Sequence, residues 1–123
     1  MPLFKFHRGE RRSRILGFQN AEIEFTGPDG TVHKLRLIEL SVSGGSFQLP
    51  GLIPGLEVGT AVAGGVIRVD ELEVRVNFVI WHVTHGDGKA YEYGVQLYTM
   101  NEQDRNELAA LISRLHRDQQ TMI

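Results

Sequence analysis

Between Glu71 and Val83 the chain alternates. Leu72, Val74, Val76, Phe78 and Ile80 take every second place, with Glu71, Glu73, Arg75 and Asn77 between them. A period of two over this length specifies a strand with one buried and one solvated face. Its far end breaks the rule, because Val79, Trp81 and Val83 make that end apolar on both faces. Some other part of the protein should cover it.

The neighbouring segments read as further short strands. Ile23 and Phe25 alternate with Glu22 and Glu24 in Ala21–Thr26, and Gly27-Pro-Asp-Gly30 is a turn signal. Thr31–Leu40 should therefore return as the second arm of a hairpin, with Leu35 and Leu37 on one face. A Ser/Gly turn follows, then a strand near Ser46–Leu49. Pro50-Gly-Leu-Ile-Pro-Gly55 reads as a loop. Ala61–Val69 reads as a strand in which Gly64-Gly65 marks a bulge or bend. His85-Gly-Asp-Gly88 turns the chain into a last strand, Ala90–Tyr98.

A helix begins near Asn101, capped by Thr99 or Asn101 with Glu102 or Asp104 in the capping-box position. Leu108, Leu111, Ile112 and Leu115 follow the i, i+3, i+4, i+7 spacing of one apolar stripe, which should close on the sheet or on a partner. About six short antiparallel strands and one terminal helix define a mainly β protein, a small β-barrel or closed sandwich. The expected organisation is a flexible basic arm over residues 1–19, one barrel-plus-helix domain over 20–118, and a polar tail over 119–123.

Charge is distributed unevenly. Residues 1–14 hold five basic residues (Lys5, Arg8, Arg11, Arg12, Arg14) against Glu10 alone, a local balance of +4, whereas the remaining eight basic and fourteen acidic residues give −6. A mildly acidic body with one cationic arm suits a small anion better than a long polyanion, so DNA is not the expected partner. With no cysteine there is neither a disulfide framework nor a thiolate metal site. No apolar run has the length of a signal sequence or a membrane span, and a cytoplasmic protein is expected.

Catalytic constellations are missing. His82 and His85 form the one close histidine pair, and Asp87 is the one further ligand nearby, short of the three or four that a metal site needs. The serines fit neither a G-x-S-x-G elbow nor a Ser-x-x-Lys pair, and Gly44-Gly45 does not continue as a P-loop. The expectation is a binding protein, not an enzyme.

Two segments carry binding chemistry. Arg8-x-x-x-Arg12, with Arg11 and Arg14 beside it, supplies guanidinium groups able to clamp phosphate oxygens or the O6/N7 edge of guanine. Glu39-Leu-Ser41-Val-Ser43-Gly44-Gly45 is a turn of small and hydroxyl-bearing residues that permits close approach of a ligand. Trp81 is either a stacking surface for a base or a core-filling residue.

The order Arg8-x-x-x-Arg12, hairpin, Glu39-x-Ser41-x-x-Gly44 resembles the signature of the PilZ domain family, R-x-x-x-R followed by D/N-x-S-x-x-G. Val79-Ile-Trp81 looks like the family's apolar strand ending in Trp, and Tyr91-Glu-Tyr-Gly94-Val-Gln-Leu97 is similar to its final strand. The likeness extends over about residues 8–115. It implies a six-stranded antiparallel barrel, no cofactor, and cyclic di-GMP as ligand, bound by a bacterial second-messenger receptor. By position, Arg8 and Arg12 (or, in a shifted register, Arg11 and Arg14) would hold phosphates and guanine edges. Ser41 and the backbone around Ser43, Gly44 and Gly45 would contact base and phosphate, with Trp81 stacking. Residue 39 would accept from the guanine N1–H/N2–H edge. The chain has Glu39 where the family has Asp or Asn, which moves the carboxylate outward by about a bond length. The resemblance further implies an arm that orders on binding and an effector protein in motility, biofilm or chemotaxis signalling. The alternative it leaves is a degenerate adaptor that acts through a protein partner without nucleotide.

Overall fold

The computed structural model describes residues 13–16, 19–85 and 90–121. The strands are β1 (Ser13–Arg14), β2 (Ala21–Thr26), β3 (Val32–Leu40), β4 (Gly44–Leu49), β5 (Ala61–Val69), β6 (Leu72–His85) and β7 (Tyr91–Tyr98). One helix, α1 (Glu102–Thr121), follows them. All pairings are antiparallel, in the order β3-β2-β5-β6-β7-β4, and β4 returns to β3 to close a six-stranded barrel. Closure leaves these six strands no long free edge. The short β1 adds to β3, where Ser13 opposes Leu40 and Arg14 opposes Glu39. This places the end of the basic segment beside the Ser/Gly turn.

The alternation of β6 is realised inward. Val74, Val76, Phe78 and Ile80 are all buried and Leu72 packs half-buried against them. Phe47 is completely buried at the centre, its ring stacked on Tyr93 at 5.4 Å and 10° and set edge-on to Phe78. Gly27-Pro-Asp-Gly30 forms the hairpin turn, closed by the Gly27 N–H donating to the Thr31 carbonyl at 2.8 Å. Gly64, at φ 79°, marks the expected bulge, between Val62 and Gly65.

Two further bulges were not announced by glycine. In β3 the register slips between Leu37 and Glu39, leaving Ile38 as the extra residue, and in β6 it slips between Ile80 and His82, leaving Trp81. Each slip exchanges the faces of the strand beyond it. Inward positions are therefore Leu37 and then Leu40 in β3, and Ile80 and then Val83 in β6. This accounts for the doubly apolar end of β6: Val83 replaces His82 as the inward residue and packs on the core.

The helix stripe closes on the barrel. Leu108, Leu111, Ile112 and Leu115 are buried, and α1 packs on β6 and β1. Gln19 fastens this junction, its Oε1 accepting the Leu16 N–H at 2.9 Å and its Nε2 donating to the Leu115 carbonyl at 3.0 Å. Asn101 is the cap, its Oδ1 accepting the Asp104 N–H at 2.8 Å. Asn101→Ala should cost about 1 kcal/mol, read as a fall of about 4–8 °C in the thermal unfolding midpoint. No helix among the described residues is long and apolar enough to cross a membrane.

The two halves of the barrel wall differ on the outside. Over β3-β2-β5-β6 the surface is laced by charge pairs: Lys34 lies 3.9 Å from Glu24, and Arg68 lies 2.7 Å from both Glu24 and Glu73. The Arg68 hydrogen bond holds the Glu24 carboxyl below its usual range. Over β3-β4-β7-β6 the outward positions at the centre, Ser46 and Gly94, are small, and the surface opens into a cleft.

Candidate functional site

The cleft has a cavity volume of about 70 Å³ and is lined by Glu39, Ser41 and Gly44–Ser46 from the β3–β4 side. Trp81, His82, Glu92, Gly94 and Val95 line it from β6 and β7. Its geometry follows from the register. Glu39 opposes Ser46, Ser46 opposes Gly94, and Gly94 opposes His82, one row across four strands with all four positions on the outer face. Strands lie about 4.8 Å apart, so the row spans about 14 Å from Glu39 to His82. The two middle members are the smallest, which makes a floor of Ser46 and Gly94 between walls of Glu39 and His82. On β1, Arg14 extends the row beyond Glu39.

Both walls are set by the bulges. Without the slip at Ile38, Glu39 would sit on the inner face; without the slip at Trp81, His82 would do so. In a regular strand Trp81 and His82 would also face opposite ways, yet both line the cleft. Bulges of this kind re-aim side chains toward functional surfaces. Trp81 is half-buried in the cleft wall and is not part of the barrel core.

The Ser/Gly turn closes on itself. Ser41 is 1% exposed, its N–H donates to the Gly44 carbonyl at 2.8 Å, and its Oγ accepts the Gly44 N–H at 3.1 Å. The Ser41 hydroxyl is thus committed to the turn, and the Ser-x-x-Gly spacing is that of a residue stapling its own bend. The Ser43 carbonyl accepts the Leu97 N–H at 2.8 Å and ties the turn to β7; Ser43 lies beside the cleft, outside its lining. A Cβ on Gly45 would lie 3.0 Å from the Glu39 carbonyl oxygen, so glycine there lets β4 approach the bulged strand.

Of the residues singled out in the sequence, the structure gathers Glu39, Ser41, Gly44, Gly45 and Trp81 around this cleft. Arg14 is exposed on β1 and lines a neighbouring groove with Arg36 and Gln48. Arg8, Arg11 and Arg12 lie outside the described residues. Sequence reasoning did not count Ser46, Glu92 or Gly94 among the ligand-binding residues, and weighed His82 only as half of a metal pair. His82 and His85 part company: the His85 ring stacks on Tyr91 at 4.2 Å, while His82 leans over Gly94. Among the described residues no cluster of three His, Cys, Asp or Glu side chains is placed to hold a metal. The signal that was available for His82 is the end of β6 being apolar on both faces at Val79, Trp81 and Val83, the trace of a change of parity there.

Residues 6–114 match the family model described as PilZ domain. No curated protein matches the chain. Among solved structures, the K. pneumonia MrkH–c-di-GMP complex superposes with a TM-score of 0.83 at 14% identity, covering 97% of this chain and 57% of that one. The PilZ domain of YcgR from Escherichia coli with c-di-GMP gives 0.75 at 15% identity, covering 92% and 94%. The Bacillus subtilis inhibitor of motility MotI/DgrA gives 0.66 at 15% identity, covering 95% and 53%. At these identities the likeness is one of fold. The chain spans about half the length of the MrkH chains it matches.

Proposed function

Because the chain belongs to the PilZ domain family, we propose that it is a receptor for cyclic di-GMP that binds the dinucleotide in the cleft between β3 and β6. The observation that carries this reading is the convergence on one outer surface of Glu39, the Ser41–Gly44 turn and Trp81, with β1 entering the sheet beside them. The fold is shared with MrkH and YcgR, whose structures were solved with c-di-GMP. In this reading the arginines of the N-terminal segment hold the phosphates and a guanine edge. Glu39 accepts from guanine N1–H and N2–H, and Trp81 stacks on the base, a contact worth about 1–3 kcal/mol. Ser41 shapes the turn instead of touching the ligand. Binding orders the basic segment over the barrel wall, and the altered surface is read by a partner protein, as in other ligand-driven switches.

An NMR titration with cyclic di-GMP tests the reading directly. Shifts should concentrate on Glu39, Gly44–Ser46, Trp81 and Gly94, and resonances of residues 1–14 should gain order. Absence of binding at high micromolar protein would end it, and would leave the nucleotide-independent adaptor. The length of the residue-39 side chain has its own consequence. Glu39→Asp should tighten binding by about fivefold, or about 1 kcal/mol, if the longer side chain holds its carboxylate off the best hydrogen-bonding line. Calorimetry reads this, and an unchanged affinity would mean that residue 39 does not touch the base.

A further inference from the structure

We propose that His82 is a ligand-contacting residue of the same cleft, donating a hydrogen bond to the acceptor edge of a guanine and making binding stronger at low pH. This rests on the reading that cyclic di-GMP occupies the cleft.

The bulge at Trp81 is the first support. It places two consecutive side chains, Trp81 and His82, in one cleft lining, and so sets an imidazole beside the candidate stacking ring. The second is Gly94. A Cβ at this position would fall on the Nε2–Cε1 edge of the His82 ring, so the ring lies across β7 in space that only a glycine leaves open. The third is the opposite wall. Glu39 stands at the far end of the row and has acceptors only, whereas guanine carries donors on N1 and N2 and acceptors at O6 and N7. A base held between an acceptor wall and an imidazole donor has both sets satisfied. Adenine, with an amino group in place of O6, does not.

The charges facing His82 are Glu39 from β3 and Glu92 from β7; the cleft-lining residues of β4, Gly44–Ser46, bring no titratable group. The two phosphodiesters of the incoming ligand favour the imidazolium over the neutral ring. The sign follows: ligand binding draws a proton onto His82, and affinity falls as pH rises through the range where imidazoles lose charge. Carboxylates and guanidinium groups ordinarily keep their charge over that range.

The test is calorimetric titration of the full chain with cyclic di-GMP at about pH 6 and about pH 8, in two buffers of different ionisation enthalpy. Wild-type protein should bind about tenfold more tightly at the lower pH and take up protons on binding. His82→Gln should bind with a flat pH profile and no net proton uptake, and its preference for cyclic di-GMP over cyclic di-AMP should shrink. Gly94→Ala, which displaces the ring without removing it, should reproduce that flat profile while the cooperative thermal transition is retained. A His82→Gln protein with wild-type affinity and proton uptake overturns the inference and leaves the receptor reading standing. Wild-type protein that binds no cyclic di-GMP at either pH overturns both.

Discussion

Phe47→Ala should lower the folding free energy by about 3–5 kcal/mol, a large share of what a domain of this size possesses. Phe47 is fully buried at the midpoint of β4, stacked on Tyr93, edge-on to Phe78 and 5.7 Å from Phe25. Truncation removes the transfer free energy of the ring and opens a cavity walled by three other rings, which are too stiff to collapse into it. A urea titration should show the midpoint falling by about 2 M. The consequence reaches the cleft, because Ser46 and Gly94 form its floor and their chain neighbours Phe47 and Tyr93 form the underside of that floor. Tyr93 is tied further, its hydroxyl accepting the Ile53 N–H at 3.1 Å from the loop below. Phe47→Leu keeps most of the volume and should cost less than about 1.5 kcal/mol. A loss under 1 kcal/mol for the alanine variant would mean that the aromatic cluster does not hold β4 in register.

The barrel was legible in the sequence because one face of nearly every strand had to be apolar. β6 shows this best, with four inward residues in strict alternation, and α1 shows it with a stripe that finds the barrel. Gly64-Gly65 announced its bulge, since positive φ needs glycine. The slips at Ile38 and Trp81 had no such marker. Their trace is a change of parity: the inward set moves from Leu35 and Leu37 to Leu40, and from Ile80 to Val83. In β6 that change was visible as an end apolar on both faces, although its cause was not. Without the slips the row Glu39–Ser46–Gly94–His82 cannot be assembled, so half of the cleft stayed hidden while Glu39, Gly44 and Trp81 could be named. Ser41 shows the converse. Its spacing to Gly44 was evident, but whether its hydroxyl faces a ligand or its own turn depends on a backbone conformation that sequence does not print.

Replacing Arg8 and Arg12 together by alanine should weaken cyclic di-GMP binding by at least about 100-fold, since each removes a charge-assisted, bidentate contact of about 1.5–3 kcal/mol. The competing register assigns the same work to Arg11 and Arg14. Arg14 has a defined position on β1: it stands opposite Glu39, exposed, lining a groove with Arg36 and Gln48 that adjoins the cleft. From there its charge can steer an anion toward the site, an effect that salt screens, without closing over the ligand. Arg11→Ala/Arg14→Ala should therefore cost no more than about fivefold at moderate salt and less at high salt. Calorimetry on the two double variants separates the registers. Loss confined to Arg11→Ala/Arg14→Ala would move the phosphate clamp next to β1 and shift the expected base position toward the Arg36 groove. Loss confined to Arg8→Ala/Arg12→Ala requires the segment before Ser13 to reach past the turn and over the cleft. That reach would make ordering of the segment part of the binding energy, so deleting Ser13 alone, which shortens the segment and retains every arginine, should weaken binding.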